Sequence, residues 1–424
     1  MKTVIHHSLP GSDDITRTVL PGGITTLARA NFNSPSVVIG GYLPCGSLYD
    51  TDDKLGLATF TALALLRGSK KRTFQKIFDN LESTGASLSF SAGGHTAGFT
   101  GRALAEDLPL LLDILADCLH HPVFPNDQVE RLRTQILTGL SIRAQDTAEM
   151  ASITFDQIVY GSHPYARPDD GWPETIQAIT RNDLIDFHHL HYGPRGMVLA
   201  IVGAVDPKTM ADQVASVLGS WHNRSQPDLP PLPELKSLKK TVVRKVKIPG
   251  KSQADLVIGS SGPRRKDPEF MPASLGNSVL GQFGMAGRIG EVVRKKSGLA
   301  YYAMSSLNAG IGPGSWDVSA GVNPANVQKA RDLIWEEISR FVDKGVTAEE
   351  LSDSQSNFIG RLPLSLESNA GVVSSLLNME RFDLGLDYYR RYPDLVRAIT
   401  PENVLAAARK YLHPDKLAIA IAGP

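Results

Sequence analysis

The feature that most constrains this chain is that it repeats itself. Residues 178–204 (AITRNDLIDFHHLHYGPRGMVLAIVGA) fall without a gap on 398–424 (AITPENVLAAARKYLHPDKLAIAIAGP), a constant shift of 220 positions. Ala178, Ile179, Thr180, Pro194, Ala200, Ile201 and Gly203 each meet an identical residue, and Val38-Ile39-Gly40 meets Val257-Ile258-Gly259 at almost the same shift. A duplicated unit of that size limits the fold to two copies of one domain of about 200 residues, an ordinary domain length. Proline favours extended polyproline II, so the run Gln226 to Pro233 (QPDLPPLP) reads as a stiff connection. The predicted division is a first domain over 1–225, a linker over 226–239 and a second domain over 240–424.

Each copy mixes strands and helices. Strands are predicted on both sides of Pro21-Gly22-Gly23, at Val37 to Gly41, and in a hairpin from Ser87 to Ala103 that turns at Gly93-Gly94. Gly56 to Leu66 (GLATFTALALL) is a strongly apolar helix closed by Arg67-Gly68, and a second helix runs from about Thr73 to Ser83. Apolar periodicity predicts helices near 105–120 and 125–145 and one that closes at His191, before a buried strand over Met197 to Val205.

Charge excludes some functions. Forty-four basic residues balance forty-four acidic ones, so nothing draws the chain as a whole toward nucleic acid or an anionic membrane. Met1-Lys2-Thr3 runs into the polar His6-His7-Ser8 without a signal-peptide core, and no apolar stretch is long enough for a span. Cys45 and Cys118 fit free thiols in a reducing compartment, so a cytoplasmic location is expected.

One stretch carries chemistry. Between Gly281 and Ser305 three glycines (Gly281, Gly284, Gly287) loosen the chain. Arg288 to Ser297 follows as a short basic helix with Ile289, Val292 and Val293 on one side, which Gly298 stops. Leu299 to Ser305 then reads as a strand. Arg294 at the helix end and Tyr301 just inside the strand can point at one place. The same residues also suit a solvated basic helix followed by a core strand. The glycines lack the Gly-Lys-Ser/Thr of a phosphate loop and read better as a mobile, substrate-touching segment.

Duplicated α+β halves, GLATF…LLRGS in the first, EDLPLLLDILADCLHHPVFP over 106–125, and R-x-x-E-x-x-R-K-x-x-G-L-A-Y in the second together resemble the M16 metallopeptidase family. The likeness is to its short bacterial members, relatives of mitochondrial processing peptidase and of the core proteins of the cytochrome bc1 complex. The implied fold is α+β: two homologous α/β-sandwich domains of the LuxS/MPP-like metallohydrolase type, each a mixed sheet with helices packed on one face. In that family the first-half helix carries H-x-x-E-H, two zinc-binding histidines and a water-activating glutamate, and a glutamate ligand follows later. Carried over through Gly56-Leu57-Ala58 and Gly68, these positions are Thr59, Ala62, Leu63 and Gly139, so the resemblance implies that the zinc site is lost and that this chain binds no metal cofactor. His188 with His191 and His120 with His121 supply no third ligand in register and read as surface or capping histidines.

The second half keeps the family's R-x6-Y spacing in Arg294 and Tyr301, which the resemblance makes transition-state donors acting across to a zinc site in trans. It also makes Ser87 to Ser91 an edge strand for extended peptide, with Leu88, Ser89 and Phe90, together with Gly284, as substrate-binding positions. Leu88 stands where the family has asparagine, and an ordinary edge strand remains the alternative. The implied partner is an M16-fold chain with an intact H-x-x-E-H that alone holds zinc, and the implied substrate is unfolded peptide. A catalytically inactive peptide-binding or scaffold homologue, with a homodimer possible, is the second reading. No Ser/His/Asp or Cys/His motif supports an independent hydrolase.

Overall fold

The computed structural model describes residues 9–424, so the expectation about Met1 to Ser8 lies outside the described residues. Six strands form one sheet: Thr16–Val19 (β1), Thr25–Ala30 (β2), Ser36–Leu43 (β3), Ser87–Ala92 (β4), Ala97–Leu104 (β5) and Val198–Gly203 (β6), in the order β1-β2-β6-β3-β5-β4. Five form the other: Val242–Lys247 (β7), Ala254–Gly262 (β8), Ala300–Asn308 (β9), Gly314–Val322 (β10) and Ala418–Gly423 (β11), in the order β7-β11-β8-β10-β9. With β1 set aside the two orders are the same. In each sheet one parallel pair (β2 with β6, β7 with β11) is followed by antiparallel neighbours. The duplication therefore reaches topology, and even the helix starts: Thr180 accepts from the Asp183 amide and Thr400 from the Asn403 amide, each in a reciprocal capping box.

Ladder register corrects one detail of the repeat. Gly40 lies opposite Ala200, whereas Val257 lies opposite Ala420. With Ala200 and Ala420 equivalent, Gly40 corresponds to Val257, and the Val-Ile-Gly match is out of step by two residues. An offset of two keeps every side chain on its own face, which is why the coincidence survives in the pattern.

The compact units depart from the linear halves. One consists of 9–140, Pro168–Pro231 and Leu362–Arg391, the other of Ser141–Arg167, Leu232–Arg361 and Tyr392–Pro424. Each thus takes in a helix from the opposite half of the sequence. In the first unit a helical layer, including Leu57–Ala64, Leu108–His120, Arg181–His191 and Pro207–Leu218, covers one face of the sheet. The helix Asn369–Arg381 lies against β3 and β6, so close that a Cβ on Gly40 would stand 2.6 Å from Val373 Cγ1. Arg17 fixes it with two hydrogen bonds to Glu380, at 2.9 and 2.7 Å.

In the second unit the helices Phe270–Asn277, Val327–Lys344 and Pro401–Tyr411 bury Leu256, Ile258, Trp316 and Val318 on one face of the sheet. The helix Thr147–Tyr160 places Ala151, Phe155, Ile158 and Val159 on the other, against Val257, Ala418, Ala420 and Ala422. Burial of Phe155 alone contributes about 2–3 kcal/mol. The buried Asp255 carboxylate ties that helix down, accepting from Thr147 Oγ1 at 2.5 Å and from Tyr302 Oη at 2.6 Å. So each sheet carries the expected helical layer on one face and a single exchanged helix on the other.

Candidate functional site

In the first unit the helix Leu57–Ala64 stands where the sequence places it. The buried Asp50 carboxylate caps its start, accepting from the Gly56 and Ala58 amides at 2.9 and 3.0 Å, where negative charge meets the positive end of the helix. The helix packs beside the edge strand β4, and Arg133 of the helix Asn126–Arg143, which carries Gly139, reaches its Phe60. Arg67 donates across to Gln135 Oε1 at 2.6 Å and lies over the Phe74 ring at 5.1 Å, and the Arg133 guanidinium lies over the Phe60 ring at 5.3 Å.

The positions to which the family resemblance assigns metal ligands carry no ligand set. Thr59 Oγ1 donates to the Asp169 carbonyl at 2.7 Å. Ala62 is fully buried among the apolar core, and Leu63 projects a hydrocarbon side chain to the surface. A Cβ added at Gly139 would meet nothing within 4 Å, so open space stands where a carboxylate could reach. A zinc ion needs three or four nitrogen, sulfur or carboxylate donors, and one threonine hydroxyl already engaged elsewhere does not meet that need. These positions do not fit zinc.

On β4 the side chains alternate: Leu88 and Phe90 enter the core, each 6% exposed, while Ser87, Ser89 and Ser91 face outward. Both of those side chains are committed to the apolar interior, which leaves only main-chain groups of Leu88 and Phe90 at the strand edge. Ser89 alone of the three offers its side chain.

In the second unit the backbone around Arg294 and Tyr301 is irregular. Gly290–Lys296 winds with the wider π-helical turn, a geometry concentrated at functional sites. Ile289 and Val293 are wholly buried, and Arg288 anchors the start through paired hydrogen bonds to Glu350 at 2.7 and 2.6 Å. Gly298, at φ +63°, ends the turn as the sequence predicts. The segment also folds back on itself. A Cβ at Gly287 would lie 2.3 Å from Gly281 Cα, and one at Gly290 would lie 2.0 Å from the Gly284 oxygen. Gly284 itself sits at φ +59°.

The strand β9 lies at the edge of its sheet, and its pairing slips at one point. Tyr302 is opposite Gly321 and Ala300 is opposite Val322, which leaves Tyr301 as the extra residue of a β-bulge. A bulge re-aims the side chain it carries, and Tyr301 is 63% exposed. Arg294 is exposed as well. Among the described residues neither side chain has a hydrogen-bond or ion-pair partner, in contrast to the neighbouring Lys295 and Lys296, both paired with Glu291. The bland reading of the stretch as basic helix and core strand thus accounts for Ile289, Val293, Ala303 and Ser305 but leaves Arg294 and Tyr301 unexplained.

Pattern reading missed the apolar surface beside this pair. Phe283, Met285 and Met304 are 36%, 47% and 37% exposed, and the loop 284–286 packs along β9. Arg361 lies over the Phe283 ring at 4.9 Å. The available signal was two large apolar side chains in a glycine-rich loop, where hydration would otherwise favour polar ones.

The histidines also need correction. His188 is buried, not superficial: its Nε2–H donates to the Leu119 carbonyl at 2.8 Å, and it stacks on Tyr192. Burial, with nearby imidazoles adding to it, pushes His188 down to about 4, and burial does the same for His120 and His191. His120, His121, His188, His189 and His222 line one pocket of about 380 Å³. Among the described residues no group of three or more His, Cys, Asp or Glu side chains is arranged to hold a metal ion. No helix of the described residues is long and apolar enough to cross a membrane.

Known proteins share this sequence pattern and fold. The family described as insulinase (peptidase family M16) matches residues 25–160, and the peptidase M16 inactive domain matches 178–358. An uncharacterised zinc protease of Streptomyces coelicolor is 26% identical over 95% of this chain and 88% of its own length. Cytochrome b-c1 complex subunit 1 of Mus musculus is 26% identical over 62% of this chain and 55% of its own. A crystal structure of a peptidase M16 inactive domain from Pseudomonas fluorescens superposes with a TM-score of 0.90 at 26% identity, covering 97% of this chain and 98% of that one.

Proposed function

Because the chain belongs to the M16 peptidase family and Thr59, Ala62, Leu63 and Gly139 offer no zinc ligand set, we propose that it is the zinc-free subunit of a two-chain M16 peptidase and lends Arg294 and Tyr301 to a partner's active site. One observation carries this reading: a guanidinium and a phenol, exposed and without partners, are held on a π-turn and a bulge, while the four ligand positions are apolar or engaged. The partner is an M16-fold chain with an intact H-x-x-E-H, and zinc, held there alone, supplies polarisation of the scissile carbonyl. As that oxygen becomes negative, the Arg294 N–H groups and the Tyr301 O–H donate hydrogen bonds to it. Phe283, Met285 and Met304 offer apolar contact to the side chains of an unfolded peptide, and the outward edge of β4 offers strand pairing. The expected location is the cytoplasm.

The test is co-expression with an M16 chain that carries the complete motif, followed by turnover of an unfolded peptide. Arg294→Ala and Tyr301→Phe are each expected to lower kcat by about a hundred- to a thousand-fold. Unchanged turnover in both would remove the proposed role. The likeness to the cytochrome b-c1 subunit supports a second reading, a peptide-binding scaffold that cleaves nothing. It requires peptide binding that survives both substitutions and no turnover with any such partner.

A further inference from the structure

The local charge of one sheet edge contrasts with the neutrality of the whole chain. Between Glu234 and Asp255 the sequence holds Lys236, Lys239, Lys240, Arg244, Lys245, Lys247 and Lys251 and no acidic residue. All but the half-buried Lys251 are exposed. Among the described residues none of the seven makes an ion pair or a side-chain hydrogen bond. The block runs along β7, whose one neighbour in the sheet is β11.

That edge is open at the backbone too. The amides of Val242 and Ile248 point to β11, donating to Leu417 and Gly423 at 2.9 and 2.7 Å. Strand periodicity is two, so the N–H and C=O groups of Val243, Lys245 and Lys247 point the other way, to the vacant side. The first sheet shows what such a position accepts. There β2 takes the place of β7, and β1 lies antiparallel along its outer edge, with Arg29 paired to Asp14 at 2.7 Å. Among the described residues the second sheet has no strand in the place of β1.

Lysines on an edge commonly serve to prevent unwanted pairing. Here only Arg244, Lys245 and Lys247 lie within β7, and the other four extend the positive stripe beyond both its ends. We propose that the β7 edge docks an acidic, extended polypeptide segment that adds a strand to the second sheet. Charge complementarity selects acidic side chains, and the row of unpaired main-chain groups selects a polypeptide. The stretch from Lys236 to Lys251 has no aromatic side chain on which bases could stack, which disfavours single-stranded nucleic acid. It presents one exposed apolar side chain, Val243, too little for insertion into a lipid surface. Like charge also repels a second copy of the same edge.

The experiment measures anisotropy of a fluorescent synthetic peptide of alternating Glu and Val with the full chain. The peptide is expected to bind, and binding should weaken with added salt. Lys245→Glu with Lys247→Glu tests charge, and affinity should fall roughly tenfold or more. Val243→Pro tests the strand. It removes an N–H on the vacant side, leaves the bonds to β11 in place and should abolish binding while circular dichroism and Tm stay unchanged. Absence of peptide binding would overturn the proposal. Binding indifferent to Val243→Pro would do so as well, as would tighter binding of an oligothymidylate or of anionic vesicles through the same lysines.

Discussion

The helix Leu57–Ala64 and the segment 281–308 teach different things about what a fold keeps. The first is a regular helix with a well-made N-terminal cap, and nothing on it can bind metal: its one hydroxyl is engaged, Ala62 is buried and Leu63 is apolar. The second departs from regular geometry three times, in a glycine turn, a π-helix and a bulge, and displays two polar groups without partners among the described residues. Irregular backbone is costly to hold, so it persists where the surroundings enforce it and where local regularity conflicts with function. Packing alone explains the helix Leu57–Ala64. It does not explain the placement of Arg294 and Tyr301.

The sharpest way to break the comparison is to put a charge on the regular helix. Ala62→Glu forces a carboxylate into a wholly buried apolar site and should cost about 3–5 kcal/mol in urea denaturation. A neutral result would mean that solvent still reaches the position and that the first unit retains more of a cleft than its packing suggests.

The two units should also answer pH in opposite directions. In the second, burial pushes the Asp317 carboxyl up to about 7, with Ser315 Oγ donating to it at 3.0 Å as a lesser, opposing effect. Its folded pKa exceeds the unfolded 3.8, so the folded state is favoured while the acid stays protonated, and stability falls as pH rises from about 4 through 7. Asp317→Asn should therefore stabilise by about 4 kcal/mol at pH 8 and change little at pH 4. A gain independent of pH would assign the effect to packing. In the first unit His188 has the reverse sign. Its folded value of about 4 lies below the unfolded 6.5, so its contribution is complete above 6.5 and lost as pH falls toward 4. Because the side chain is buried, it should remove about 2 kcal/mol by pH 5. His188→Gln should flatten that acid limb, and a limb that stays as steep would place the titrating group elsewhere.

How much of this was legible depends on the range of the interaction. The duplication was, because identical topology leaves matched caps and strands at a fixed shift, as at Thr180 and Thr400. The side chains at Thr59, Ala62, Leu63 and Gly139 were, because residue identity is read directly from the sequence. The exchange of the helices Thr147–Tyr160 and Asn369–Arg381 was not: an amphipathic pattern says that a face will be buried but not which sheet will bury it. The bulge at Tyr301 depends on Gly321 and Val322 in another strand, so nothing within β9 announces it. His188 was misread for the same reason, since its hydrogen-bond acceptor, the Leu119 carbonyl, lies far away in sequence.

The smallest expected effect separates the two accounts of the second segment. Val293 and Tyr301 both follow from the one short stretch, but the first is wholly buried and the second mostly exposed. If packing retained the whole segment, removing any of its side chains would cost stability. On the geometry described, Val293→Ala should cost about 1–3 kcal/mol, whereas Arg294→Ala and Tyr301→Phe should each stay within about 0.5 kcal/mol of the parent in urea denaturation. A loss above about 1 kcal/mol for Tyr301→Phe would mean that the phenol bonds within the fold. The contrast between a silenced helix and a poised pair would then reduce to two ways of packing a core.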